Sequence, residues 1–273
     1  MSTATVPAPR KPRAEHPLTT IPATVLSRTW ITPRMVRLTI HSEQMNSFVR
    51  EDDPDQFLTA IFPRPGQELI ELSGNIDWHA FYELPADVRP QARNYTIRSH
   101  DPARDTVDVD ILVHGGPGLG ENWAVHVQPG APLYLWGPRV AYNPFPNADF
   151  HLLFCDECGV PAAAAIIESL PVDARGHLVA EVKDAEAIPP MPERSGIQVD
   201  WVFSGEIEPG ESKGLLTAVE QVPVPDGALV YAWGGGEMKS MRQIGRYLRR
   251  SWGLKTASIS ATGYWRVGVS NED

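Results

Sequence analysis

The sequence predicts a small antiparallel β-barrel over residues 21–146, then a doubly wound parallel-sheet domain over 147–273, behind a disordered tail of residues 1–20. Three observations predict it. Up to Pro146, short strand-like runs are broken often by Pro, Gly, Asn and Asp, with few helical patterns, which suits a closed barrel. Beyond Pro146, apolar strand runs alternate with helix-like stretches, which implies crossover connections and a parallel sheet. At 273 residues and 42% hydrophobic content, the chain can build two cores.

Taken in order, residues 1–20 are rich in Pro, Ala, Thr and Arg and lack periodicity. Ala23 to Ile40 reads as two strands joined at Thr32-Pro33, a hairpin signal. Gln56–Phe62 is a strand stopped by Pro63-Arg64-Pro65-Gly66. Glu68 to Pro90 is a long excursion carrying Trp78, His79, Phe81 and Tyr82, either a covering lid or a functional loop. Val107–Val113 and Pro132–Trp136 complete the barrel. In the second domain the expected strands are His151–Cys155, His177–Val182, Gln198–Ser204, Ala228–Trp233 and Thr256–Ala261. The expected helices are Pro161–Leu170, Gly214–Gln221 and Glu237–Trp252. Ligands of such sheets bind beyond the carboxyl ends of the strands, so Asp156-Glu157-Cys158-Gly159, Ser204-Gly205 and Gly234-Gly235-Gly236-Glu237 are expected in site loops.

With 24 Lys and Arg against 34 Asp and Glu, the net charge of −10 argues against general nucleic-acid binding. No apolar run is long enough to span a membrane and no signal-peptide core is present, so a cytoplasmic location without membrane insertion is expected. Cys155 and Cys158 form a C-x-x-C pair. No second pair completes a zinc set, and Cys155 ends a buried strand, so packing is the expected role; no metal site is expected.

Arg93-Asn94-Tyr95-Thr96-Ile97-Arg98 alternates along a strand, with Arg93 and Tyr95 on one side and Asn94, Thr96 and Arg98 on the other. Guanidiniums offer forks to phosphate and Tyr95 offers a face for stacking. Downstream, His114 to Trp123 holds four glycines within residues 115–120, where backbone N–H groups can converge on an anion. A short helix starting near Glu121 adds its positive end. Together these read as a dinucleotide site with a stacked ring, most naturally FAD.

At these residues the sequence resembles the siderophore-interacting protein family, the FAD-dependent ferric-siderophore reductases of the ferredoxin-reductase superfamily. Thr32 to Thr39, Arg93 to Arg98, Val109 to Gly115, Trp123-Ala124, Gly137-Pro138-Arg139, Asp156-Glu157 with Pro161-Ala162, and Gly263-Tyr264-Trp265-Arg266 carry the resemblance. It implies that Arg93 and Arg98 contact the FAD phosphates or ring edge and that Tyr95 packs on the ribityl or isoalloxazine. It places Thr96 near the reactive nitrogen of the flavin. Backbone at Gly115, Gly118 and Gly120 would hold the pyrophosphate or adenosine end, with His114 and Trp123 walling the adenine. Asp156, Glu157, Gly235 and Glu237 would form the nicotinamide crevice, for NADH or NADPH as electron donor. Arg139, Trp265 and Arg266 would meet a ferric siderophore. No general acid or base is required.

Three departures from the family pattern are visible. Thr59 stands where a Lys is common, Glu121 where a small hydroxyl residue is common, and Cys158-Gly159 where Thr-Ala is usual. A carboxylate at Glu121 repels phosphate unless it turns outward. The reductase reading therefore has two rivals: a flavin-containing siderophore carrier, and a flavin reductase serving a protein partner. A monomer is compatible with all three.

Overall fold

The computed structural model describes residues 17–50, 53–72, 74–116 and 118–269. The rest of the expected tail, residues 1–16, lies outside them. Two compact units divide at Val140/Ala141.

The first unit is a seven-stranded antiparallel sheet: β1 (Thr19–Thr32), β2 (Met35–His41), β3 (Gln56–Phe62), β4 (Gln91–Thr96), β5 (Ser99–Asp101), β6 (Thr106–Leu112) and β7 (Pro132–Val140). Three short helices, α1 (Met45–Phe48), α2 (Trp78–Glu83) and α3 (Leu119–His126), sit in its connections. β1 begins inside the stretch expected as tail, because Thr19 and Thr20 pair with Gly137 and Trp136 of β7. The order is β4-β3-β7-β1-β2-β6-β5. Its two ends are consecutive in the chain, separated by Ile97 and Arg98 alone, and the Arg98 N–H donates to Asp108 of β6 at 2.8 Å. The sheet therefore curls into a barrel. Alternation supplies the core: Val36, Leu38 and Ile40 of β2 point inward with Leu58, Phe62, Val109 and Leu135. Between them on β2, Arg37 points out and makes a bidentate pair with Asp110 at 2.6 and 2.8 Å.

The second unit is a parallel sheet in the order β10-β9-β8-β11-β12, formed by β8 (Phe150–Asp156), β9 (Gly176–Val182), β10 (Ile197–Phe203), β11 (Val230–Glu237) and β12 (Ile259–Trp265). Its three inner strands, β9, β8 and β11, are buried on both faces. Leu153, Cys155, Leu178, Ala180, Tyr231 and Trp233 pack with α4 (Val160–Ser169). Leu152, Phe154, Val179 and Ala232 pack with α5 (Gly214–Gln221) and α6 (Met238–Ser251) on the other side. That is a doubly wound sheet. α6 buries Met241, Ile244 and Leu248 at helical spacing and exposes Arg242, Arg246, Arg249 and Arg250. The two Cys residues are free thiols, and burial pushes the Cys155 thiol well up.

One expectation is corrected. Gly234-Gly235-Gly236-Glu237 is not a loop: β11 runs through Glu237. The reason is the crowding on both faces. A Cβ on Gly234 would stand 2.1 Å from the Phe154 ring, and one on Gly235 would stand 2.8 Å from Tyr264. Glycine here fills a strand between larger neighbours. β12 likewise runs past Ala261 to include Tyr264 and Trp265.

Candidate cofactor and substrate sites

In the first unit, β4 presents Arg93 and Tyr95 to the first turn of α3. A Cβ at Gly120 would stand 2.8 Å from Tyr95 Oη and 3.3 Å from Arg93 Cγ, so only glycine lets the helix start approach the two side chains. Burial pushes the Tyr95 phenol well up, opposed by Arg93, and the ring stays neutral. Thr96 is buried and Arg98 half-buried. A phosphate-matching guanidinium, an aromatic face and a helix start cleared by glycine form a donor set that fits FAD.

The glycine loop differs from its expectation. Gly115 sits at φ +79, a conformation glycine adopts freely. The His114 and Gly115 N–H groups do converge on an anion, but it is the chain's own. They donate to Glu121 Oε2 at 2.7 and 3.2 Å. Glu121 turns inward and is only 7% exposed. Its Oε1 lies buried without a hydrogen bond among the described residues, 3.7 Å from His114 Nδ1. Gly118 is the N-cap of α3. One face of Trp123 is taken by Phe62, stacked at 4.2 Å.

Arg139, following the cis Gly137-Pro138 peptide, lies across β3. Its Nη2 donates to Thr59 Oγ1 at 2.7 Å and Asn94 Oδ1 at 2.8 Å, and its guanidinium covers the rings of Phe57 at 4.4 Å and Trp136 at 4.8 Å. Thr59 in turn donates to Asn94 at 2.7 Å. Burial lowers the Arg139 pKa, and among the described residues no carboxylate pairs with it. The threonine hydroxyl is what allows this: it accepts the arginine that a cation in its place would repel. Sequence reading missed Phe57, Asn94 and Trp136 as its partners. Strand pairing brings Thr59 opposite both Asn94 and Trp136, a register no local pattern displays.

In the second unit, strand order reverses between β8 and β11, the place where open parallel sheets take ligands. The backbone there is glycine-lined: a Cβ on Gly159 would stand 2.4 Å from the Gly235 carbonyl, and one on Gly236 2.6 Å from Asp156 Oδ2. Asp156 accepts the Glu237 N–H at 2.7 Å and the Trp265 indole N–H at 2.8 Å on Oδ2, and the Cys158 N–H at 3.0 Å on Oδ1. Burial raises its pKa to about 6, against the pull of those donors. Glu237 is buried and caps α6 through Ser240 N at 2.9 Å. Glu157 is buried. Of the three residues expected at the substrate, Arg139 belongs to the first unit, and Trp265 and Arg266 to the second. Arg266 is exposed and lines a cleft of about 300 Å³ with Lys239 and Arg242.

The model of the siderophore-interacting FAD-binding domain matches residues 24–142, and that of the siderophore-interacting protein matches residues 148–268. The chain belongs to the siderophore-interacting protein family. Its first half is the family's FAD-binding domain, and the barrel followed by a parallel sheet is the family's architecture. A siderophore utilization protein from T. fusca superposes with a TM-score of 0.81 at 32% identity, over 94% of this chain and 96% of that one. The ferric vibriobactin reductase of Vibrio cholerae is 28% identical over 89% of this chain and 88% of its own length. The NADPH-dependent ferric-chelate reductase of Escherichia coli is 25% identical over 95% of this chain and 98% of its own. No helix among the described residues is long and apolar enough to cross a membrane.

Proposed function

We propose that this FAD-dependent oxidoreductase takes electrons from NADH or NADPH and delivers them to a ferric siderophore, releasing ferrous iron in the cytoplasm. The observation that carries the reading is Arg139: a half-buried cation without a carboxylate partner among the described residues, in the FAD-binding domain, held by neutral acceptors and two rings. Such a group is set to meet an anion that comes from outside. The names of the Vibrio and Escherichia relatives, both ferric reductases, support the same reading.

Bound flavin supplies the chemistry that the side chains lack, taking two electrons as hydride and releasing them one at a time. Arg93 and Arg98 would hold the phosphates or ring edge, Tyr95 would back the ring system, and Thr96 would stand by the reactive nitrogen. The first turn of α3, from Gly118 to Gly120, would serve the pyrophosphate, because the His114 and Gly115 N–H groups are already spent on Glu121. Gly159, Gly235 and Gly236 let neighbouring parts of the chain close on one another at the strand reversal, and Asp156 fixes the walls of the crevice there that would take the nucleotide. Arg139 in the first unit and Arg266 in the second each offer a cation to an anionic chelate. Because the chelator already surrounds the iron, the protein needs no iron ligands; reduction weakens hard oxygen ligation, and the metal is released. The lack of a disulfide at Cys155 and Cys158 among the described residues suits a reducing compartment.

Anaerobic stopped-flow spectroscopy tests the proposal. NADH and NADPH are mixed separately with the flavoprotein, followed by ferric catecholates and hydroxamates. Bleaching by a nucleotide and recovery on adding a chelate are expected. A flavin spectrum that neither nucleotide bleaches would overturn the reductase in favour of a carrier or a protein-fed enzyme.

A further inference from the structure

Resting on that reading, we infer that the face of the barrel around Arg139 is a subsite for an aryl chelate, a catecholate or phenolate complex, in preference to an aliphatic one. Rings and cations follow one another there without a break. Arg139 lies between Phe57 at 4.4 Å and Trp136 at 4.8 Å. Trp136 meets Trp78 edge-on at 5.1 Å, Trp78 stacks with Tyr82 at 5.9 Å, and Arg89 covers Tyr82 at 5.4 Å. The row leaves β7 and continues onto α2, which the excursion between β3 and β4 delivers to this face.

Packing alone does not account for the row. Tyr82 is 61% exposed, so its ring is open to a ligand. Two donors are buried there without a hydrogen-bond partner among the described residues, Arg139 Nε and Trp78 Nε1. Orphaned buried donors are rare in folded proteins and point to an acceptor that arrives later. Arg139 also lacks a carboxylate partner among the described residues. A ligand that satisfies all of this is flat, apolar on its faces and rich in anionic oxygen at its edge. A catecholate complex of ferric iron has those properties: aromatic rings, net negative charge and oxygens at the ring rim. A tris-hydroxamate complex has no ring and no net charge. Stacking on aromatic faces and approach to a partly desolvated cation favour the first.

The test uses gallium(III) complexes, which bind like ferric ones but cannot be reduced, with the flavin-loaded full chain in equilibrium dialysis. The tris(catecholate), the tris(oxalate), which is equally charged but ringless, and the tris(acetohydroxamate) are compared. The catecholate is expected to bind about tenfold tighter than the oxalate, with the hydroxamate weakest. W136L and Y82A should bring the catecholate down to the oxalate, and W136F should keep most of the preference. Tyr82 is exposed, so Y82A stays informative if W136L does not fold. Equal binding of catecholate and oxalate, or an unchanged ratio in both variants, overturns the subsite. Preference for gallium catecholate without any reduction of ferric chelates supports the subsite and sinks the reductase. Reduction without a chelate preference does the reverse.

Discussion

Trp265 and Glu237 share one oxygen: the indole N–H and the backbone N–H donate to Asp156 Oδ2 at 2.8 and 2.7 Å. A single carboxylate thereby ties the carboxyl ends of β8, β11 and β12. Burial raises the Asp156 pKa from 3.8 to about 6 even with these donors present. The group that fixes the crevice therefore ionises at a cost.

The sign of that cost can be measured. Between pH 3.8 and about 6 the folded chain holds the Asp156 proton more tightly than the unfolded chain. Its contribution to stability is fully present below the lower value and is lost as pH rises through the upper one. Asp156→Asn does not titrate. Urea unfolding across this window should show wild-type stability falling, relative to the variant, by about 3 kcal/mol as pH rises. Parallel curves for the two proteins would mean that Asp156 is solvated.

Much of this was legible in the sequence. The strand-like runs either side of Thr32-Pro33 and the change to alternating strand and helix after Pro146 mark both sheets, because local burial and turn chemistry dictate those patterns. The triple glycine was misread because composition alone does not separate a turn from a strand squeezed between Phe154 and Tyr264. The inward turn of Glu121 and the Arg139, Thr59 and Asn94 cluster depend on tertiary approach. Charge repulsion alone suggested the opposite orientation for Glu121, and two backbone N–H groups decided it.

The close approach of α4 to β11 leaves no room at Gly159. A methyl there would stand 2.4 Å from the Gly235 carbonyl and 2.6 Å from Cys155 Cβ. Neither neighbour is the end of a flexible side chain, so backbone must move. Gly159→Ala should lower stability by about 3 kcal/mol or more, read as the urea midpoint at constant slope. A loss under about 1 kcal/mol would show that the strand reversal is loosely packed.

Glu121 places a negative charge within the loop proposed to face the pyrophosphate. Glu121→Gln keeps an acceptor oxygen for His114 N and Gly115 N but removes the charge. The apoprotein of the variant should bind FAD severalfold more tightly at low ionic strength, the gain shrinking as salt rises. Weaker FAD binding at every ionic strength would assign Glu121 a direct hydrogen bond to the cofactor through its unpartnered Oε1.

Arg139 sets stability against binding. Its charge is partly desolvated and lacks a carboxylate partner among the described residues, while its stem and guanidinium cover Phe57 and Trp136. Replacing such a cation with an apolar chain of similar length recovers the desolvation cost and keeps the ring contact. The Thr59 hydroxyl and Asn94 amide remain bonded to each other at 2.7 Å. Arg139→Met should therefore leave the melting temperature unchanged or raise it by a few degrees, with FAD retained. The same variant should raise KM for an anionic ferric chelate by about tenfold, the loss of one charge-assisted contact. A lower melting temperature with unchanged KM would make Arg139 a structural cation and remove the chief support for the substrate site.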